Sequence, residues 1–194
     1  MKSVILTLLA ILCLFSAEAQ EFNKYLANAR TSYSAKKLDE ARFAMQQMLH
    51  ELDVIVAKDV LKLLPAKLDT LNANVANDQV SGNSGFTGIM IERDYGTGSK
   101  TAELQIIGNS PLTASVNAIL SLPLIGGNRK IIKLEGYKAL IEKTTDTETN
   151  KVSYEIQLPL NSSLLTLKTS GISDDEIQKL VASIPVARLA RLLQ

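Results

Sequence analysis

Few side chains in this sequence can carry the usual chemistry of an active site. The chain has one histidine, His50, one cysteine, Cys13, and no tryptophan. A Ser-His-Asp triad would have to use His50, which lies in a helical stretch with no Gly-x-Ser-x-Gly elbow near it. Zinc, copper and haem sites built from cysteine and histidine need more of both residues. We therefore expect a non-enzymatic protein with no catalytic residue and no cofactor.

Two groups of acidic residues could instead supply oxygen ligands to a metal. Asp174, Asp175 and Glu176 are consecutive, and Asp146 lies two residues before Glu148. Neither group has the spacing of a calcium-binding loop. The first group is explained by a helix N-terminus, where the helix dipole stabilises acids, and the second by a hairpin loop. We expect no metal at either group.

Paired carboxylates and a glycine-rich turn are the remaining catalytic candidates. Glu92 lies on the same predicted hairpin as Asp94 and Glu103, which leaves a carboxylate-based hydrolase as a third hypothesis for the function. With 5% aromatic residues, the chain has few rings on which sugars could stack. The segment Gly96–Lys100 looks like a phosphate-binding loop, but it lacks the Gly-x-x-x-x-Gly-Lys-Ser/Thr spacing and precedes a strand. We interpret it as a hairpin turn.

The elements that could position a binding surface begin with a helical hairpin over residues 20–65. Apolar residues recur at helical spacing from residue 22 to residue 64. The break between the two helices falls at 35–38, and Asp39 is the expected cap of the second helix.

One face of this hairpin is the candidate partner surface. Its candidate residues are Tyr33, Met45 and Met48, because flexible thioethers suit adaptable contacts and an exposed apolar patch marks an interaction site. The alternative is that the same face packs on the rest of the chain and belongs to the core.

The hairpin also resembles one tetratricopeptide repeat. The residues that carry the resemblance follow the order of that motif: Tyr33, Leu38, Asp39, Glu40, Ala41 and Ala44. The sequence departs from the motif at Ala29 and Lys36, near which glycines are expected, and no second copy follows. Because a lone repeat cannot stack into a peptide-binding groove, we expect a hairpin packed on something else.

Residues 66–194 have the pattern of a mixed helix-and-strand domain. Residues 69–86 are rich in Asn, Asp, Gly and Ser, which predicts loops, with Gly82–Gly85 as the clearest one. Alternating apolar and polar residues predict strands at 88–95 and 101–107. Three more strand candidates follow, at 130–134 with 137–142, 151–158 and 164–169, separated by short polar turns.

The sequence also predicts one helix between these strands and two helices after them. Ser110 and Pro111 predict the N-cap and first turn of a helix over 112–122. Ser173 and Glu176 form a capping box at the start of a later helix. Pro185 begins a last helical turn or two over 186–193, whose apolar side we expect to pack on the sheet rather than on a membrane.

The order of elements predicts an antiparallel α+β fold: two helices come first, then a meander of strands with one inserted helix, and then a closing helix. From Leu68 to Ile184 the order of hairpin, Ser-Pro helix, strands and C-terminal helix resembles the exported domains of the PsbP-like fold class. The resemblance is one of pattern and has no diagnostic motif. It implies the fold, and, since proteins of that fold are mostly non-enzymatic accessory proteins that bind other proteins, it implies a protein-binding role.

The first nineteen residues predict export. Lys2 precedes an apolar run from Val4 to Phe15, and Ala17-Glu18-Ala19 is the small-x-small pattern that signal peptidase needs. The fourteen residues 4–17 are too few for a membrane span, which takes about 20. We expect cleavage after residue 19, which removes Cys13, and a periplasmic or secreted protein without a stable membrane anchor.

The net charge of the chain bears on which class of partner it can bind. Removal of residues 1–19 takes away one of 21 basic and one of 20 acidic residues, so the net charge stays at +1, which does not favour nucleic acid. The sequence thus predicts a bacterial envelope protein that binds another protein. The alternative is a carrier that holds a small apolar ligand between the sheet and the helix at 112–122.

Overall fold

The N-terminal hairpin is formed by helices α1 (Ser16–Ser34) and α2 (Leu38–Leu63). Helix α1 ends in a Schellman motif, in which the Lys37 amide donates to the Ser32 carbonyl (2.9 Å) and the Lys36 amide to the Tyr33 carbonyl (3.0 Å). Lys36 has φ 62°, a left-handed conformation that usually takes glycine. The predicted break is confirmed, but Asp39 is not the cap, because α2 already begins at Leu38 and Asp39 lies in its first turn.

The structure, a computed structural model, describes residues 16–82, 88–122 and 126–193. Its contacts divide the chain into two compact units, Met1–Ile55 and Val56–Gln194. The division falls inside α2 rather than at residue 65, where the helical pattern ends. Among the described residues, none of the helices combines the length and the apolar character that crossing a bilayer requires.

The second unit is built on a seven-stranded antiparallel sheet, which confirms the α+β class. Its strands lie in the order β3-β4-β5-β9-β8-β7-β6. Their bounds are β3 Gln79–Ser81, β4 Met90–Thr97, β5 Lys100–Ile107, β6 Arg129–Leu134, β7 Tyr137–Thr145, β8 Val152–Leu160 and β9 Ser163–Ser170. The six strands β4 to β9 correspond to the predicted segments, and β4, β5 and β8 carry the alternation that is typical of a half-buried strand.

The prediction of loops over 69–86 was partly wrong. Leu71–Asn72 (β2) pairs with Lys67–Leu68 (β1), Val75–Asn77 is a 3₁₀ turn, and β3 is the edge of the main sheet. These strands have two or three residues, too few to show alternation, and β3 forms because it pairs with β4. The predicted loop at Gly82–Gly85 lies, after Gly82, outside the described residues.

One face of the sheet carries most of the core. Leu104, Leu167 and Ile156 lie side by side across β5, β9 and β8 and are completely buried. Helix α4 (Asp174–Ala182) lies against this face, where its Asp174 contacts Tyr154 of β8. Its capping box is confirmed: the Glu176 amide donates to Ser173 Oγ (3.4 Å), and the Ser173 amide to Glu176 Oε2 (3.0 Å). The last helix, α5 (Val186–Leu192), has its apolar side buried, as predicted.

The opposite face is covered by α3 (Leu112–Leu120), which packs Val116 and Leu120 against Leu140 of β7 and Leu164 of β9. The helix is two residues shorter than predicted. Pro111, not Ser110, occupies the N-cap position. Ser110 instead contacts the β8–β9 turn, where its amide donates a hydrogen bond to the Ser162 carbonyl (3.0 Å).

Candidate functional site

The hairpin presents its large apolar side chains to solvent and buries small ones. Three alanines, Ala29, Ala41 and Ala44, are at most 5% exposed. Large side chains of both helices are between 37% and 64% exposed: Leu26, Tyr33, Leu38, Phe43, Met45, Leu49 and Leu52. The buried positions of the hairpin therefore include small side chains, whereas the larger apolar ones are left accessible to solvent. We call these seven residues the hairpin surface.

Four of the five α2 residues in the hairpin surface form a stripe, and Phe43 projects from a different side of the helix. Leu38, Met45 and Leu52 are seven residues apart and Leu49 lies between the last two, which places all four on one side of the helix. A stripe with this spacing fits the apolar face of another helix, as in coiled coils.

The structure places two of the three predicted partner residues in the hairpin surface. Tyr33 is 64% exposed and Met45 is 44% exposed, whereas Met48 is half-buried. The sequence analysis missed Phe43 and Leu49, both more than half exposed. The seven-residue spacing on α2 was the signal that could have found the stripe.

A second candidate site is a groove in the other unit, with a volume of about 470 Å³. It lies between α4 and the strands β6 and β7. Its lining residues are Asn128, Lys130, Ile132, Ile141, Lys143, Thr145, Tyr154, Asp174, Ile177, Gln178 and Val181. This volume is within the range of about 300 to 1,000 Å³ in which small ligands bind.

One part of the groove is an interacting cluster of Lys143, Asp174 and Tyr154. Lys143 Nζ lies 2.8 and 2.9 Å from the two carboxylate oxygens of Asp174, and the Tyr154 hydroxyl also donates to that carboxylate. The hydrogen bond from Lys143 lowers the pKa of Asp174, and the same bond raises the pKa of Lys143. Burial raises the pKa of Tyr154. The three groups therefore stay a lysine cation, a carboxylate and a neutral phenol near neutral pH.

The groove differs in place from the ligand site that the sequence suggested. That site was expected between the sheet and the helix at 112–122, but there Val116, Leu120, Leu140 and Leu164 form a buried cluster. The groove lies on the other face of the sheet. Sequence reasoning missed it because its two walls, residues 128–145 and 174–181, are joined only by the tertiary fold.

The residues considered for catalysis or metal binding lie in separate parts of the fold, apart from the cross-strand pair Asp94 and Glu103. His50 is half-buried in α2, and the described ranges contain no cluster of three His, Cys, Asp or Glu side chains that could hold a metal. Asp94 and Glu103 lie opposite each other on β4 and β5, and Glu103 also lies 4.0 Å from Lys168. Glu92 accepts a hydrogen bond from the Gln105 side-chain amide (3.3 Å).

Both polar turns adopt the structures predicted for them. Thr97 pairs with Lys100, so Gly98 and Ser99 close the β4–β5 hairpin. In the β7–β8 loop, Asp146 Oδ1 accepts from the backbone amides of Glu148 and Thr149, both at 2.9 Å. Neither turn resembles a phosphate or calcium site.

The chain matches no protein-family model and no curated protein.

Proposed function

We propose that this chain is an exported, non-catalytic bacterial envelope protein that binds an amphipathic helix of another protein through the hairpin surface. The observation that carries the proposal is the exposure of seven large apolar side chains on a hairpin whose buried residues include three alanines. Export is supported by the signal-peptide pattern that ends at Ala17-Glu18-Ala19.

Energetics favour a partner for this surface. Complete burial of one Leu or Met side chain contributes about 1.5 to 3 kcal/mol, so burial of the four side chains of the stripe would favour association. The stripe Leu38, Met45, Leu49 and Leu52 supports a helical partner, because apolar side chains at this spacing interdigitate with a matching helix. The resemblance to PsbP-like proteins also supports a protein-binding role.

The test is co-purification from the native envelope with charge substitutions in the stripe. Met45→Glu/Leu52→Glu adds two charges at side chains that are each 44% exposed, so the variant should fold. The matched control is Asn28→Glu/Gln46→Glu, which adds the same charge at exposed polar positions of the two helices. We expect wild type and the control to retain one and the same partner and the stripe variant to lose it.

Binding must then be reproduced with the purified partner and its helix alone. Loss of binding in the stripe variant, with unchanged far-ultraviolet circular dichroism, supports the proposal. If the stripe variant is unfolded while the control is not, the stripe is core and the proposal is wrong. Equal partner recovery by both variants would also contradict it.

A further inference from the structure

The groove between β6, β7 and α4 combines an apolar floor with a net positive charge, since two lysines and one aspartate line it. We propose that it is a binding site for a small amphiphilic anion, an aliphatic chain that ends in a carboxylate. The aliphatic chain lies on the isoleucine and valine side chains, and the carboxylate lies at Lys130.

The floor of the groove comes from both walls. Ile177 and Val181 of α4 are 4% and 5% exposed, and Ile132 and Ile141 of the strands are half-buried. Ile141 faces Lys130 across the β6–β7 pair, and Ile132 is two residues from Lys130, so all three side chains project from the same face of the sheet. The cation therefore stands beside the apolar floor.

The charges that line the groove sum to +1, with Lys130 and Lys143 against Asp174. Lys143 is satisfied by Asp174 at 2.8 Å. Lys130 is exposed and makes no hydrogen bond or close ion pair with any of the described residues, and its longer-range interaction is with Asp174, whose pKa it helps to lower. An anionic group that enters the groove would find this ammonium group available, whereas a cationic one would meet a net positive site.

Shape and polarity together favour a carboxylate with an aliphatic chain over a polar anion. A volume of about 470 Å³ accommodates a small ligand. The four apolar side chains would stabilise an aliphatic chain by the area they remove from water, and they offer nothing to a sugar phosphate. All lining residues belong to the unit Val56–Gln194, so this site is independent of the hairpin surface.

The experiment is a titration of the ¹⁵N-labelled chain from Gln20, followed by amide shifts, with three ten-carbon probes below their aggregation concentrations. The probes are decanoate, decanol and decyltrimethylammonium, which share the chain and differ in head-group charge. We expect decanoate to shift amides of β6, β7 and α4 and to bind more tightly than the other two.

Charge variants on β6 test the assignment to Lys130. Lys130→Glu should weaken decanoate binding about tenfold or more, which corresponds to the loss of one charge-assisted hydrogen bond. Lys133→Glu is the matched control, since Lys133 is exposed on the same strand and its side chain projects from the other face. Lys130→Met, which keeps the aliphatic stem, should weaken binding less than Lys130→Glu.

Four results would overturn the proposal. The first is no shift with decanoate, and the second is equal affinity for decanol, which would mean a neutral apolar ligand. The third is tighter binding of the ammonium probe. The fourth is equal weakening by Lys133→Glu and Lys130→Glu, which would mean general attraction to a basic strand rather than a site.

Discussion

Arg93 of β4 is a buried arginine whose partners join three segments of the chain. Its side chain is 7% exposed and that of Asp78 is 14% exposed. The pair is bidentate, with Nε to Oδ1 at 2.8 Å and Nη2 to Oδ2 at 2.5 Å, and Nη1 donates to the Leu64 carbonyl at 3.0 Å. Hydrogen bonding to Asp78 raises the pKa of Arg93, so the guanidinium stays charged.

We expect Asp78→Ala to lower the free energy of unfolding by about 3 to 5 kcal/mol, because it leaves a buried guanidinium without its carboxylate. The unit Val56–Gln194 has 139 residues (194 − 55), for which typical stabilities are about 7 to 20 kcal/mol. With a urea dependence near 2 kcal/mol per molar, a loss of 4 kcal/mol lowers the unfolding midpoint by about 2 M.

The assay is urea unfolding at pH 7 followed by far-ultraviolet circular dichroism, since the chain has no tryptophan. Asp59→Ala is the control: it breaks the exposed Asp59–Lys62 pair (2.7 Å) and should change stability by no more than about 0.5 kcal/mol. Replacing both partners, Asp78→Leu with Arg93→Met, should recover much of the loss. If Asp78→Ala costs no more than Asp59→Ala, water reaches the pair and the reasoning fails.

Three further predictions concern single positions. Lys36→Gly should stabilise the hairpin by about 0.5 to 1 kcal/mol in thermal unfolding, because it relieves the left-handed conformation at φ 62°, whereas Lys36→Ala should not. Gly171→Ala should lower the free energy of unfolding by at least about 2 kcal/mol more than Gly136→Ala. Both glycines have positive φ, but of the two only Gly171 is so placed that an added Cβ would meet backbone, 2.1 Å from the Ser99 carbonyl oxygen. Similar losses of stability in the two variants would refute the steric argument. A hydrogen bond from Lys100 and those from Ser173 lower the pKa of Glu176 to about 2, so the stabilisation that ionised Glu176 gives is complete above about pH 4.5 and is lost as the pH falls towards 2. Glu176→Gln should therefore make the melting temperature depend less on pH over that range. An unchanged dependence of melting temperature on pH would contradict this prediction.

The sequence predicted the parts of the fold that local pattern determines. Strands β4, β5 and β8 alternate apolar and polar residues because one side of each faces the core. The capping box at Ser173 predicts the start of α4 from local sequence alone. The edge strand β3 was missed because three residues have no readable period, and its conformation depends on β4, which follows it in the chain.

The candidate sites were less predictable than the fold. On α2 the sequence shows apolar residues on two adjacent sides, and only the structure shows that Ala41 and Ala44 face inwards while Met45 and Leu49 face solvent. Met48 was assigned to the partner surface because it is a methionine near Met45, yet it turns towards the buried side. The groove is lined by segments that are far apart in the sequence, so no spacing of residues could have predicted it.

The main sheet is open, and both of its ends would be free to recruit strands from another molecule. One end is β3, which has three residues, and the other is β6. Three of the six residues of β6 are cations, Arg129, Lys130 and Lys133. Two copies that met along β6 would bring these charges together, and lysine at a sheet edge is a common defence against such pairing. The same edge that borders the groove therefore protects the sheet from edge-to-edge aggregation.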